Sequence, residues 1–405
     1  MEGKELQIRI MEDVLSRMDM TVDLTDEEVF SLIEQCILEL SRECFISLTD
    51  KRRFAREIFL SIRKLDFLQE LIDDESVTEI MVNGPDAIFV EKDGALYRSE
   101  ECFESCEKLE NVIQQIVASC NRVVNEASPI VDARLENGAR VHVVLAPVAL
   151  NGPILTIRRF PEQPMRMENL LRMGSISEEA AKLLKKLVRA GYNIFISGGT
   201  GSGKTTFLNA LSEYIPPQER VITIEDSAEL KLVGIPNLVR METRNANMEG
   251  CREITIRDLI RASLRMRPDR LIVGEVRGSE AVDMLQCLNT GHDGSLSTGH
   301  ANSASDMLYR LETMVLMGME LPLAAIRGQI ASGLDVIVHL GRLRDRSRRV
   351  LEIAEVLGFE DGNIRMQTLY RFVEEGEDEQ GRIAGSLKKE AELYHTEKLY
   401  AAGLS

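Results

Sequence analysis

No run of this 405-residue sequence approaches the roughly 18 consecutive apolar residues that a membrane-spanning helix needs. An export signal is missing too, because Lys4, Arg9, Glu12, Asp13 and Arg17 interrupt every apolar stretch near the start. Work on a membrane is therefore expected to pass through protein partners or peripheral contact. There is no basic excess either. With a net charge of −17 at pH 7, direct nucleic-acid binding is not expected, since strong binders neutralise phosphates with Lys and Arg. Cysteines are few and dispersed, at Cys36, Cys44, Cys102, Cys106, Cys120, Cys251 and Cys287. An odd, scattered set without an export signal reads as reduced thiols of a cytoplasmic chain, not a disulfide framework. Cys102 and Cys106 are the one close pair. Without a second pair or a nearby histidine they read as ordinary core or surface residues, not zinc ligands.

What is present describes a soluble globular protein: 44% hydrophobic and 28% charged residues, over a length that calls for two or three domains. No internal repeat is visible, and only residues 374–379 resemble low complexity.

Residues 1–75 read as a helical N-terminal extension. Thr25 before Asp26, Glu27 and Glu28 looks like an N-cap with an acidic first turn, and Val29, Leu32, Ile33, Cys36, Ile37 and Leu40 then recur at helical spacing. A second helical run covers 51–65. From 76 to 159 the pattern is α+β, with strands at 77–83 and 87–91 around Gly84-Pro85-Asp86, a helix at 107–122, and strands at 139–146 and 153–159. Pro161 and Pro164 place an interdomain linker at 160–170. From 171 to 357, strands at 193–197, 221–225, 271–275, 295–300 and 336–340 alternate with helices such as 256–266. That alternation predicts an α/β domain with a mostly parallel sheet. Residues 358–405 read as a C-terminal tail without a motif.

Gly198-Gly199-Thr200-Gly201-Ser202-Gly203-Lys204-Thr205, with Thr206 behind it, fits the P-loop pattern G-x-x-x-x-G-K-[ST]. Glycines let backbone N–H groups wrap phosphates, Lys204 offers a point charge to the β- and γ-phosphates, and Thr205 offers a hydroxyl to Mg²⁺. Context strengthens the match, because an apolar strand precedes the loop and a helix that can begin at the phosphates follows it. The predicted strand at 271–275 ends in Glu275, a carboxylate placed to face Mg²⁺ and polarise water; the bland alternative is a surface acid at a strand end. The strand at 221–225 repeats the design and delivers Glu225 and Asp226, with Glu229 beyond. One of these acids can orient water or metal while another only caps a turn.

Residues 290–302 are dense in Gly, Ser and Thr and hold two of the five histidines, His292 and His300. A lone histidine is more often structural. A pair at the end of a strand that follows the Glu275 strand can sense the γ-phosphate or link to a neighbouring subunit; metal binding is the weaker alternative. No N-K-x-D guanine-reading signature follows the P-loop, so ATP is expected over GTP. Arg342, Arg344, Arg346, Arg348 and Arg349 cluster between two predicted strands. They read as a solvated hairpin tip, or alternatively as a contact for an acidic partner or lipid headgroups.

From about Leu68 to Leu357 the chain resembles the type II/type IV secretion ATPase superfamily, most closely its Tad (Flp) pilus assembly branch of CpaF type. The resemblance rests on Val77-Thr78-Glu79-Ile80-Met81-Val82-Asn83-Gly84, Asp132-Ala133-Arg134-Leu135 and the P-loop. It continues through the Asp box at 224–230, the Walker B residues Arg267-Pro268-Asp269-Arg270 and Gly274-Glu275-Val276-Arg277-Gly278, and the His box at 290–303. It implies a RecA-like P-loop ATPase domain preceded by an α+β, PAS-like N-terminal domain, assembled as a homohexamer. It further implies arginines of the N-terminal domain that reach the phosphates, by position Arg134, Arg140 and Arg158, with Arg240 and Arg277 as further candidates. The four-Cys zinc element of many type II extension ATPases is absent, which fits the Tad or conjugation-type branches better.

The implied function is ATP hydrolysis, with Mg²⁺, that powers a Tad or type IV-like pilus or type II-like secretion through an inner-membrane platform protein. The alternative is a conjugation-type type IV secretion ATPase exporting DNA or effectors. Glu275 and Glu225 both remain candidates for the base.

Overall fold

The computed structural model describes residues 3–18, 24–92, 94–135, 137–159, 164–244, 252–378 and 381–404. Cys251, residues 160–163 of the expected linker, and Glu379 of the acidic segment lie outside them. The chain divides into two compact units, Met1–Glu162 and Gln163–Ser405.

In the first unit α1 (Gly3–Arg17), α2 (Asp26–Leu40) and α3 (Leu48–Arg63) form a bundle. The expected cap at Thr25 is a full capping box, with the Glu28 carboxylate accepting from the Thr25 amide at 2.7 Å. Inside, Val29 and Ile33 meet Val14, Phe54 and Ile58. After α4 (Leu68–Asp73) come β1 (Val77–Asn83), β2 (Ile88–Lys92), β3 (Ala95–Arg98), α5 (Cys106–Ser119), β4 (Ile130–Arg134), β5 (Arg140–Val144) and β6 (Ile154–Arg158). The six strands form an antiparallel sheet in the order β3-β2-β1-β6-β5-β4. α5 covers one face, packing Leu109, Ile113 and Ile116 on Ile80, Val141 and Ile157. Because side chains alternate along a strand, the neighbouring positions face away from that core. There Arg134 pairs in register with Arg140, and Arg140 with Arg158, so the three arginines form one cross-strand row. The helical extension and the sheet keep separate cores, yet both fall within the first unit.

The second unit opens with α6 (Met167–Arg172), so the linker expected over 160–170 ends earlier than its prolines implied. Met167 and Leu170 are already buried. There follow α7 (Glu178–Arg189), β7 (Ile194–Gly198), α8 (Lys204–Ser212), β8 (Val221–Glu225), β9 (Leu238–Glu242) and α9 (Ile256–Ser263). Next are β10 (Arg270–Val273), α10 (Ala281–Leu288), β11 (Leu296–Gly299), α11 (Ala304–Gly318), α12 (Leu323–Gly333) and β12 (Val336–Arg342). The chain continues with β13 (Arg348–Glu360), β14 (Asn363–Glu377), β15 (Ile383–Lys389) and α13 (Glu397–Ala401). The nine strands run β15-β14-β13-β12-β7-β11-β10-β8-β9. From β12 to β9 they are parallel, and β13, β14 and β15 add an antiparallel wing.

Each face of this sheet is covered. Ile194 and Ile196 of β7 pack with Leu184 of α7 and Leu208 of α8, while Phe195 between them packs with Met307 of α11 and Ile330 of α12. This is the α/β, RecA-like architecture that was expected. The boundary drawn at 357 needs correction, since it falls inside β13. β14, β15 and α13 extend the sheet and bury Leu369, Tyr370 and Leu399 in its core. These strands alternate apolar residues with charges such as Arg371, Glu374 and Glu375, which is why a half-exposed wing looked like a polar tail.

Candidate active site

β7 is buried throughout and runs directly into the glycine loop, with β11 on one side and β12 on the other. The loop turns at glycines for a steric reason. At Gly198, where φ is +156°, an added Cβ would stand 2.5 Å from the Leu340 carbonyl oxygen. Gly203 has φ +92° and lets α8 start at Lys204, so the first amides of that helix open toward the loop. The Ser202 hydroxyl is buried there and has no hydrogen-bond partner among the described residues. A cradle of this shape, with an unsatisfied polar atom and a helix N-terminus, suits a phosphate. Gly199, Thr200 and Gly201 are exposed at its rim, and Thr205 and Thr206 are half-buried behind Lys204.

Three of the residues picked from the sequence meet at the C-terminal ends of neighbouring strands. The Lys204 ammonium is buried and donates to the carbonyls of Gly198 and Gly199 at 3.2 and 3.0 Å. It also lies 3.2 Å from Nδ1 of His300, just beyond β11. The opposite ring nitrogen, Nε2, lies 2.7 Å from Oε1 of Glu275, just beyond β10. An ammonium can only donate, so Nδ1 accepts and the imidazole proton resides on Nε2, facing the carboxylate. Burial, joined by the Lys204 charge, holds the imidazole below its ordinary pKa, with Glu275 opposing, which keeps His300 neutral near pH 7. Burial likewise lowers Lys204, again opposed by Glu275. Arg277 donates to the other oxygen of Glu275 at 2.6 Å and lies 3.8 Å from Asp226.

Glu225 ends β8 and is only 3% exposed. One oxygen accepts from the amides of Glu229 and Leu230, each at 2.7 Å, and so folds the turn that carries Glu229. The other oxygen is buried without a hydrogen-bond partner among the described residues. Burial raises its pKa from 4.5 to about 7, against the two amide bonds that lower it. The folded protein thus holds this proton more tightly than the unfolded chain. The stability Glu225 contributes is full below pH 4.5 and is lost as pH rises toward about 7. Glu225→Gln should remove that loss. Unfolding free energies of variant and wild type should diverge above about pH 5 and differ by roughly 3 kcal/mol at pH 8, the variant being the more stable. Parallel curves across that range would show that Glu225 is not held neutral by burial.

Other candidates lie elsewhere. His292 precedes β11 whereas His300 follows it, which puts His292 at the opposite end of that strand, its Nδ1 3.2 Å from the Cys287 carbonyl oxygen. Of the two roles open to the pair, sensing the γ-phosphate does not suit His292 at that position. Arg134, Arg140 and Arg158 belong to the first unit, where Arg140 lies 3.4 Å from Asp132. Arg240 stands on β9 beside Thr223 of β8. The arginine cluster at 342–349 is not merely a solvated tip. Arg348 donates from Nε to the Gly201 carbonyl of the P-loop at 2.9 Å. A second residue that the sequence reading passed over is His339 of β12, buried with Nδ1 2.9 Å from the Ser197 hydroxyl. Both placements depend on β12 lying next to β7, a pairing between segments about 140 residues apart that leaves no local signal.

A sequence profile of the family described as type II/IV secretion system protein matches residues 62–384. A putative conjugal transfer protein of Mycobacterium tuberculosis is 37% identical over 309 residues, spanning 75% of this chain and 87% of that one. The type IV secretion system protein PtlH of Bordetella pertussis is 32% identical over 315 residues, spanning 71% of this chain and 93% of that one. Among solved structures, the pilus retraction motor PilT with bound ADP covers 81% of this chain and 83% of its own, with a TM-score of 0.52. At 20% identity that is a likeness of fold.

Proposed function

This chain belongs to the type II/IV secretion system protein family, and on that premise we propose that it is an ATP hydrolase driving a secretion or pilus-assembly machine. The observation that carries the reading is the Lys204–His300–Glu275 chain, which joins the phosphate loop to a carboxylate across β7, β11 and β10.

The loop amides, the Lys204 ammonium and the N-terminus of α8 hold the β- and γ-phosphates of ATP. Thr205 and Glu275 would hold Mg²⁺, which neutralises charge on the phosphates. Glu275 takes a proton from the attacking water, so that ATP and water give ADP and phosphate. Arg277 fixes the direction of that carboxylate through one oxygen, and His300 lies close to the other. Glu225 shapes the neighbouring turn, and Glu229 rides on it. The row of Arg134, Arg140 and Arg158 supplies charge to the transition state in an assembled homohexamer. No helix among the described residues is long and apolar enough to cross a membrane. We place the ring in the cytoplasm, peripheral to the membrane, on an inner-membrane platform protein.

Two machines suit this motor. The motif pattern favours a Tad or type IV-like pilus, and the names of the relatives favour a conjugation-type secretion system at least as well. A pull-down with the full chain separates them. A platform protein of a pilus supports the first, and a coupling protein the second. The motor reading itself is checked by ATP turnover per protomer against protein concentration. Turnover should rise with concentration and level off as the ring assembles. Negligible turnover at every concentration, with and without the captured partner, would make a nucleotide-gated scaffold the better description.

A further inference from the structure

We propose that Arg342 and Arg348 form a second nucleotide-binding element that grips the α-phosphate from the β12 side of the loop; the inference rests on reading the P-loop as an ATP site. The two residues close the β12–β13 hairpin and face each other as its last cross-strand pair. Both reach the same point of the P-loop. Arg348 Nε donates to the Gly201 carbonyl, and a Cβ on Gly201 would stand 3.9 Å from Arg342 Nη1.

Their charge is unanswered. Among the described residues neither guanidinium has an ion pair, and Arg342 has no hydrogen bond. Arg344 of the same hairpin, by contrast, is held by Glu374 at 2.6 Å and by Glu377 at 2.8 Å. Acidic strand β14 is thus within reach of this hairpin and satisfies Arg344 alone. Two like charges directly opposite on a hairpin are unfavourable unless an anion lies near both. The terminal Nη groups of Arg348 remain available for one.

The direction of the bound nucleotide selects the group. Lys204, His300 and Glu275 gather on the β11 and β10 side of β7, so the γ-phosphate and the attacking water belong there. A polyphosphate lying along the loop then carries its α-phosphate toward the other neighbour of β7, which is β12. Guanidinium forks suit a phosphate geometrically better than an ammonium does.

The test is equilibrium binding of ADP and of a non-hydrolysable ATP analogue to the full chain, for wild type, Arg342→Ala, the Arg342→Ala/Arg348→Ala pair, and the corresponding double lysine variant. The double alanine variant should lose affinity for both nucleotides by the same factor, about tenfold or more, as two charge-assisted hydrogen bonds disappear. Arg342→Ala removes no bond within the protein and should still weaken both, and the lysines should restore part of the loss. Unchanged affinity in the double alanine variant overturns the inference. So does a loss confined to the ATP analogue, which would place the arginines at the γ-phosphate. A loss in the double variant with none in Arg342→Ala, accompanied by a lower melting temperature without nucleotide, also overturns it and leaves Arg348 a brace for the loop. Wild type that binds neither nucleotide would sink the ATP-site reading itself, a separate result.

Discussion

Glu275→Gln should lower ATP turnover by about 10²- to 10⁴-fold, the range over which a positioned proton acceptor usually acts, while ADP affinity stays within about threefold of wild type. The substitution keeps the shape of the side chain and removes its charge and basicity. Glu275 suits the role because Arg277 holds one oxygen at 2.6 Å, while the other is buried 2.7 Å from His300 Nε2 with no hydrogen bond among the described residues, and so stays open to a water. Glutamine also gives up the charge that pairs with Arg277, so part of the loss is a loss of aim. Glu225 is the rival acid. A pKa of about 7 would suit a base, but one oxygen already holds two amides and the residue is only 3% exposed, so a water has little access to it. Turnover in Glu225→Gln should therefore exceed turnover in Glu275→Gln by at least about tenfold. The reverse order would move the base to Glu225.

The second large effect concerns stability. Arg270→Leu should destabilise the second unit by about 3–5 kcal/mol in urea unfolding followed by circular dichroism. Arg270 is 2% exposed, a level almost unknown for an unpaired arginine. Its guanidinium donates to the carbonyls of Val188 at 2.6 Å and Gly294 at 3.3 Å, and it forms a two-pronged pair with Glu219. These contacts join the end of α7, the approach to β8 and the loop before β11 to the start of β10. Leucine fills part of the volume yet leaves two carbonyls and a carboxylate without a donor. A loss under about 1 kcal/mol would mean that water replaces the guanidinium at little cost.

The phosphate loop and two of its partners were legible in the sequence because their signals are local. A buried strand that ends in glycines or in a carboxylate announces both the strand and the group it delivers, as at Gly198, Glu225 and Glu275. The parallel alternation was legible for the same reason. Strand order was not. Nothing near residue 342 says that its strand lies beside β7, so Arg342 and Arg348 read as a surface tip. His292 and His300 looked equivalent at a spacing of eight residues, but a strand separates them and sends them to its opposite ends. The outer strands β14 and β15 escaped notice because one face is charged and solvated, which weakens the apolar periodicity on which such readings depend.

The position of β7 in the sheet has a consequence for how the chain is made. β7 ends at Gly198, but its two hydrogen-bonded neighbours are β11, from Leu296, and β12, from Val336. At roughly 5–20 residues per second, a ribosome needs on the order of 5–20 s to synthesise the nearly hundred residues between the phosphate loop and its first neighbour. During that interval a strand that is buried throughout in the finished sheet is exposed without its neighbours. The first unit can close its own sheet before β7 emerges, so nascent chains should pass through a stage with a folded front half and a sticky, unfinished motor. Chaperone capture, if it occurs, belongs to that window.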